Sequence, residues 1–160
     1  MYKILFLLFI SLLFTSCSSK NNAFKYFQKK DVETKGIQAT QKVDILKDNE
    51  IDIILWATYL NKIDNKISNS NNEVFLVSLY FANSESQNIE DNNYKFSLNG
   101  KDSASIEKIE EDNENFKSLM LKNNWGNYYL IKFDSLENST NLELELTNQK
   151  SSRAILNFEK

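Results

Sequence analysis

"NLELELTNQKSSRAILNFE", residues 141–159, carries the clearest structural signal in the chain. Leu142, Leu144 and Leu146 alternate with Glu143 and Glu145, and after the loop "NQKSS" the inward set resumes as Ala154, Leu156 and Phe158. Side chains two residues apart share one face of an extended chain. Strict alternation of apolar and polar side chains on both sides of a short polar loop therefore predicts an antiparallel hairpin of two half-buried strands.

The same period recurs toward the N-terminus. "NYYLIKF" (127–133) and "FKSLMLK" (116–122) read as strands joined through "NNWG", and "SASIEKIE" carries only Ile106 and Ile109 as large apolar residues. "NYKFSLNG" alternates Tyr94, Phe96 and Leu98 against Lys95, Ser97 and Asn99, then stops at a turn. "EVFLVSLYFAN" (73–83) is apolar almost throughout and rich in aromatic and branched residues, as a fully buried strand would be. In "IDIILWATYL", Ile51, Ile53, Leu55, Ala57 and Tyr59 form one face, and both faces become apolar in the middle. From Thr34, "IQATQKVDIL" places Ile37, Ala39, Val43 and Ile45 on one side, with "KDNE" (47–50) as the following turn. Short strands, turn-rich joints and the lack of a long helical pattern predict an all-β fold over residues 34–160, a sandwich or a barrel, and the expectation carried forward is an antiparallel β-sandwich of about 7–9 strands.

Composition narrows the chemistry. The 160 residues hold 19 basic and 22 acidic side chains, a formal charge of −3, with no clustered basic face of the kind nucleic acid requires. There is no histidine and a single cysteine, Cys17. That removes the commonest general base at neutral pH and leaves no cysteine pair to form a disulfide within the chain. No serine sits in a Gly-x-Ser-x-Gly elbow. Proline is absent, so strand edges must be guarded by other means, such as Lys42, Lys95 and Lys132 on strand faces.

The lone cysteine follows "FLLFISLLFTS". A basic start at Lys3, an apolar run from Ile4 to Phe14 interrupted by Ser11, and small residues before Cys17 describe an export signal too short to span a bilayer. Phe14-Thr15-Ser16-Cys17 resembles the bacterial lipobox, although Phe14 stands where leucine is usual. The resemblance implies cleavage of residues 1–16 and lipidation of Cys17. Residues 17–33 would then form a flexible polar tether, in which Lys20, Lys25, Lys29 and Lys30 could face anionic headgroups or simply be solvated. Ser18 resembles the sorting pattern of lipoproteins delivered to the outer membrane.

"LVSLYFANSESQNI…YKFSLNG" and "WGNYYLIKFDSLENSTNLELEL", spanning about residues 73–147, resemble the immunoglobulin-like modules of bacterial surface and periplasmic lipoproteins. The resemblance implies an immunoglobulin-like sandwich, though without the Cys…Trp…Cys signature.

Candidate sites are few. Trp125, Tyr128 and Tyr129 surround a glycine turn and read either as an aromatic interaction surface or as cover for the sheet. Glu107, Glu110, Glu111, Asp112 and Glu114 could offer oxygens to calcium, but they lack EF-hand spacing and the glycine of its sharp turn, and the default reading is a solvated loop. No residue pattern calls for a cofactor. The expectation is a non-catalytic, membrane-anchored binding module with an envelope or host protein as partner, and with a homodimer through strand edges as one option. The alternative is a periplasmic module that binds a small ligand or inhibits a hydrolase.

Overall fold

The structure, a computed structural model, describes residues 31–64, 67, 71–120, 126–148 and 153–160. Val32–Lys160 forms one compact unit. Among the described residues are nine strands: β1 (Thr40–Lys47), β2 (Glu50–Tyr59), β3 (Asn72–Phe81), β4 (Tyr94–Leu98), β5 (Lys101–Asp102), β6 (Ser105–Ile109), β7 (Asn127–Asp134), β8 (Asn141–Asn148) and β9 (Arg153–Glu159). They form two antiparallel sheets, one in the order β1-β2-β3-β7-β6 and the other in the order β5-β4-β8-β9. The all-β sandwich expected from the alternating pattern is the architecture observed.

Period-two patterning explains the inner layer. Leu142, Leu144 and Leu146 of β8 are fully enclosed, and their register partners Phe158, Leu156 and Ala154 on β9 are buried with them. Each of these leucine and phenylalanine side chains contributes roughly 1.5–3 kcal/mol by leaving water. The opposite sheet supplies Ile53, Leu55, Ala57 and Tyr59 from β2 and Phe75, Val77, Leu79 and Phe81 from β3. Phe75 links the two layers, since its ring lies 5.2 Å from Phe158 of the other sheet and 5.1 Å from Tyr59 of its own.

A second apolar layer covers part of the outer face of the five-stranded sheet. Val74, Leu76, Tyr128 and Leu130 point outward there and are buried by Leu60, with Ile63, Ile67, Phe116, Leu119 and Met120 packed against them. β3 is therefore enclosed on both faces, which is why its sequence is apolar without alternation.

Two segments depart from the expected strands. Residues 31–38 are helical, so β1 begins at Thr40 rather than near Thr34, and Ile37 is exposed instead of facing the core. The Ala39 amide donates to Lys35 O and the Thr40 hydroxyl to Gly36 O, after which Tyr59 N donates to Ala39 O and the sheet ladder starts. Phe116–Met120 forms helical turns, with Leu119 N and Met120 N both donating to Phe116 O. Phe116, Leu119 and Met120 are spaced i, i+3, i+4, a helical face rather than a strand face, and that spacing places all three on the second apolar cluster.

Both long sides of the sandwich are bridged. Ser103 N still donates to Phe96 O of β4 while Ala104 N already donates to Lys132 O of β7, so the chain crosses between sheets within two residues. On the other side the Gln41 side-chain amide of β1 donates to Asn157 O of β9.

Candidate interaction face

β1 and β2 form a hairpin whose turn residues Asp48 and Asn49 both have positive φ, 52° and 66°. This is the backbone of the primed two-residue turns that match strand twist, and Asp and Asn tolerate it. Just inside the turn the register slips. Ile45 pairs with Ile53 but Leu46 pairs with Ile51, leaving Asp52 as an extra residue. The Asp52 carbonyl accepts from Ala82 N at 2.8 Å, which fixes the bulge against the chain leaving β3.

The bulge decides where Ile51 goes. Period two places it with Ile53 and Leu55 on the core side. Pairing with Leu46 instead moves it to the outer face, where Leu46 is 61 % exposed and Ile51 is 43 % exposed. Two branched apolar side chains thus stand side by side at the hairpin tip.

The face continues inward from the tip. Ile54 and Trp56 on β2 and Tyr80 on β3 are half-buried there. The Lys42 ammonium lies 5.4 Å from the Trp56 ring centroid and pairs with Asp44 at 2.8 Å. Ser78, register partner of both Trp56 and Tyr128, is buried with no hydrogen-bond partner for its hydroxyl, and Asp44 Oδ1 likewise has none. Exposed Asp48 and Glu50 and half-exposed Asp52 surround the tip together with Lys47.

A buried carboxylate lies toward the opposite end of the sheet. Glu73, only 3 % exposed, accepts from the Tyr59 hydroxyl at 2.5 Å and from Lys160 Nζ at 2.6 Å. Burial alone would raise the pKa of this carboxyl, but the Lys160 and Tyr59 hydrogen bonds and the Leu136 amide outweigh it and hold the group below its ordinary value. Burial and the neighbouring Glu73 push Tyr59 far up, so its hydroxyl remains a donor. An ionised glutamate saturated by a lysine, a tyrosine and a backbone amide is a structural clasp. The sequence shows Glu73 only as the polar edge of an apolar run and gives no signal that Lys160 reaches it.

The residues singled out from sequence are not brought together. Cys17 and Trp125 lie outside the described residues. Tyr129 is buried in the inter-sheet core and Tyr128 in the outer cluster, because neighbours on β7 face opposite sides. Neither offers an exposed aromatic platform. Burial raises the pKa of Tyr129, whose hydroxyl lies 3.4 Å from both Ile89 N and Gln87 O and so pins the 82–93 loop. Glu107 sits on β6, while Glu110, Glu111, Asp112 and Glu114 follow in turns, with Glu114 paired to Lys117 at 2.8 Å. No group of three or more metal-ligating side chains occurs among the described residues, and no helix among them is long and apolar enough to cross a membrane. Nothing in the sequence alone sets Leu46 and Ile51 apart as a pair, although apolar residues flanking the "KDNE" turn are its visible trace.

No protein family, curated protein or solved structure matches the chain.

Proposed function

We propose that the protein is a lipid-anchored bacterial envelope lipoprotein whose β-sandwich is a non-catalytic binding module for another protein. The anchor reading rests on Phe14-Thr15-Ser16-Cys17 behind an apolar run. Several acyl chains on one residue hold a protein at a bilayer, whereas a single chain binds only marginally. Ser18 favours the outer membrane as its destination.

The observation that carries the binding reading is the exposed Leu46–Ile51 pair at a hairpin tip. Adjacent exposed aliphatics at a sheet end invite a partner surface more than scattered single ones do. The absence of histidine from the sequence agrees with a role in recognition rather than proton transfer. An immunoglobulin-like assignment is supported by strand order: β2-β3-β7-β6 facing β5-β4-β8-β9 follows the order A-B-E-D facing C′-C-F-G, with β1 added at one edge.

Mass analysis of the native protein should show residues 1–16 removed and Cys17 carrying lipid. A free thiol, or a retained leader, overturns the anchor. Photo-crosslinkers placed around the sandwich of the full-length protein in its own envelope should yield discrete protein adducts. If no position yields one, the binding reading falls.

A further inference from the structure

Asn99-Gly100 is the single place in the 160 residues where glycine follows asparagine. That pair is chemically labile. The Gly100 amide nitrogen, once it has given up its proton, attacks Asn99 Cγ and closes a succinimide ring. The N–Cγ bond forms, the Cγ–Nδ2 bond breaks, and Nδ2 leaves as ammonia. Water then opens the ring at one or the other carbonyl, leaving aspartate or isoaspartate. A Cβ on the following residue would crowd the attack, and glycine has none. The turn is also open to solvent. Asn99 and Gly100 are both exposed, and a Cβ added to Gly100 would meet nothing within 4 Å.

The fold holds this amide where it cannot react. Asn99 and Gly100 make the turn between β4 and β5, with φ of 48° and 78°, the left-handed pair that a primed two-residue turn requires. In the sheet order β5-β4-β8-β9, the main chain at Gly100 heads toward β5 while the Asn99 side chain reaches the opposite way, to β8 and the residues before it. There the Asn99 N–H donates to Glu143 O at 2.9 Å, and Oδ1 accepts from Glu143 N at 2.6 Å. Nδ2 donates to Asn141 O at 3.1 Å and to Ser139 Oγ at 3.4 Å. Ring closure needs Cγ turned face-on to Gly100 N, which breaks the bonds of both side-chain polar atoms. We infer that Asn99-Gly100 is a folding-gated deamidation site with water as co-reactant. It is protected while Asn99 is held on β8, and converts to aspartate or isoaspartate when that end of β4 opens. The change is one-way. A carboxylate has no donor for Asn141 O and brings a second negative charge beside exposed Glu143. Isoaspartate also lengthens the main chain between Leu98 and Lys101, which are register partners. A molecule that has opened there is marked, and closes less firmly afterwards.

The test ages the full-length protein in detergent at mildly alkaline pH, with and without denaturing urea, and follows the amide and acid forms of residue 99 by peptide mapping. In urea, position 99 should deamidate faster than the other asparagines of the chain. In the folded protein it should react at least about ten-fold more slowly than in urea, since opening must first break the hydrogen bonds to β8. Gly100→Ala, read in urea where folding does not enter, should suppress the reaction by crowding the attacking nitrogen. Aged protein enriched in the acid forms by anion exchange should unfold at lower urea concentration than fresh protein, and Asn99→Asp should reproduce the aspartate part of that loss. An equal or faster reaction in the folded protein overturns the gate. A reaction in urea no faster than at the other asparagines, or unchanged by Gly100→Ala, overturns the chemistry. Unaltered urea midpoints for both the aged protein and Asn99→Asp overturn the one-way mark.

Discussion

Lys160 Nζ lies 2.6 Å from Glu73 Oε1, joining the residue just past β9 to the second residue of β3 in the other sheet. The same ammonium donates to Leu136 O at 2.8 Å, so one side chain ties together the end of β9, the β7–β8 loop and the start of β3. Because Glu73 titrates below its ordinary value in the fold, its clasp contributes stability that is fully present above the unfolded carboxyl pKa of about 4.3. That contribution is lost as pH falls through the folded value. Urea midpoints of the native protein and Glu73→Gln should therefore differ by a constant amount above about pH 5 and converge in more acid solution. Divergence on acidification would reverse the sign and refute the assignment.

Lys160→Met leaves the buried carboxylate without its cation. Breaking a fully buried pair costs about 3–5 kcal/mol, and the partial exposure of Lys160 reduces the expectation to about 2 kcal/mol. Tyr59→Phe removes a single hydrogen bond to the same charge and should destabilise by about 1.5–3 kcal/mol. Since both act on one carboxylate, the double variant should lose less than the two single losses combined, which a double-mutant cycle in urea would read directly.

Asn99 extends the β4 ladder with both main chain and side chain, its backbone N–H donating to Glu143 O at 2.9 Å. Its Oδ1 accepts from Glu143 N at 2.6 Å, its Nδ2 donates to Asn141 O at 3.1 Å, and its φ is 48°. Asn99→Gly removes the side-chain bonds but suits the backbone, and should cost about 1 kcal/mol. Asn99→Ala also places an ordinary side chain in the left-handed region, adding about 1 kcal/mol. Equal midpoints for the two variants would show that the backbone conformation is not a constraint there.

Ser78 presents the opposite case. Its hydroxyl is buried between Trp56 and Tyr128 on the outer face without a partner. Ser78→Ala removes a group that lost its water and gained nothing, and should stabilise the protein by about 1 kcal/mol. A loss of stability on that substitution would reveal a hydrogen bond to the hydroxyl.

How much was legible from sequence varies by element. The β8–β9 hairpin, the inward faces of β2 and β4, and the turn at Asp48-Asn49 follow from local alternation and from residues that accept positive φ. "FKSLMLK" misleads because a run this short and apolar does not distinguish strand from helix by its period, and only the apolar cluster beneath selects the helical reading. Tyr128 and Tyr129 were bound to face opposite ways on a strand, but whether the outer face was open or covered depended on Leu60, Ile63, Ile67, Phe116, Leu119 and Met120. The Leu46–Ile51 pair depended on a one-residue bulge at Asp52, which moves Ile51 from the face that period two assigns it to the face of Leu46.

The sequence by itself determined the inter-sheet core and the sandwich class, because a side chain's face in a strand is a local property with period two. Tertiary structure alone decided the Glu73–Lys160 clasp, the covering of the second face and the exposed tip. Each of these joins residues far apart in the chain, and their energies exist only once the two sheets and the layer over them have closed.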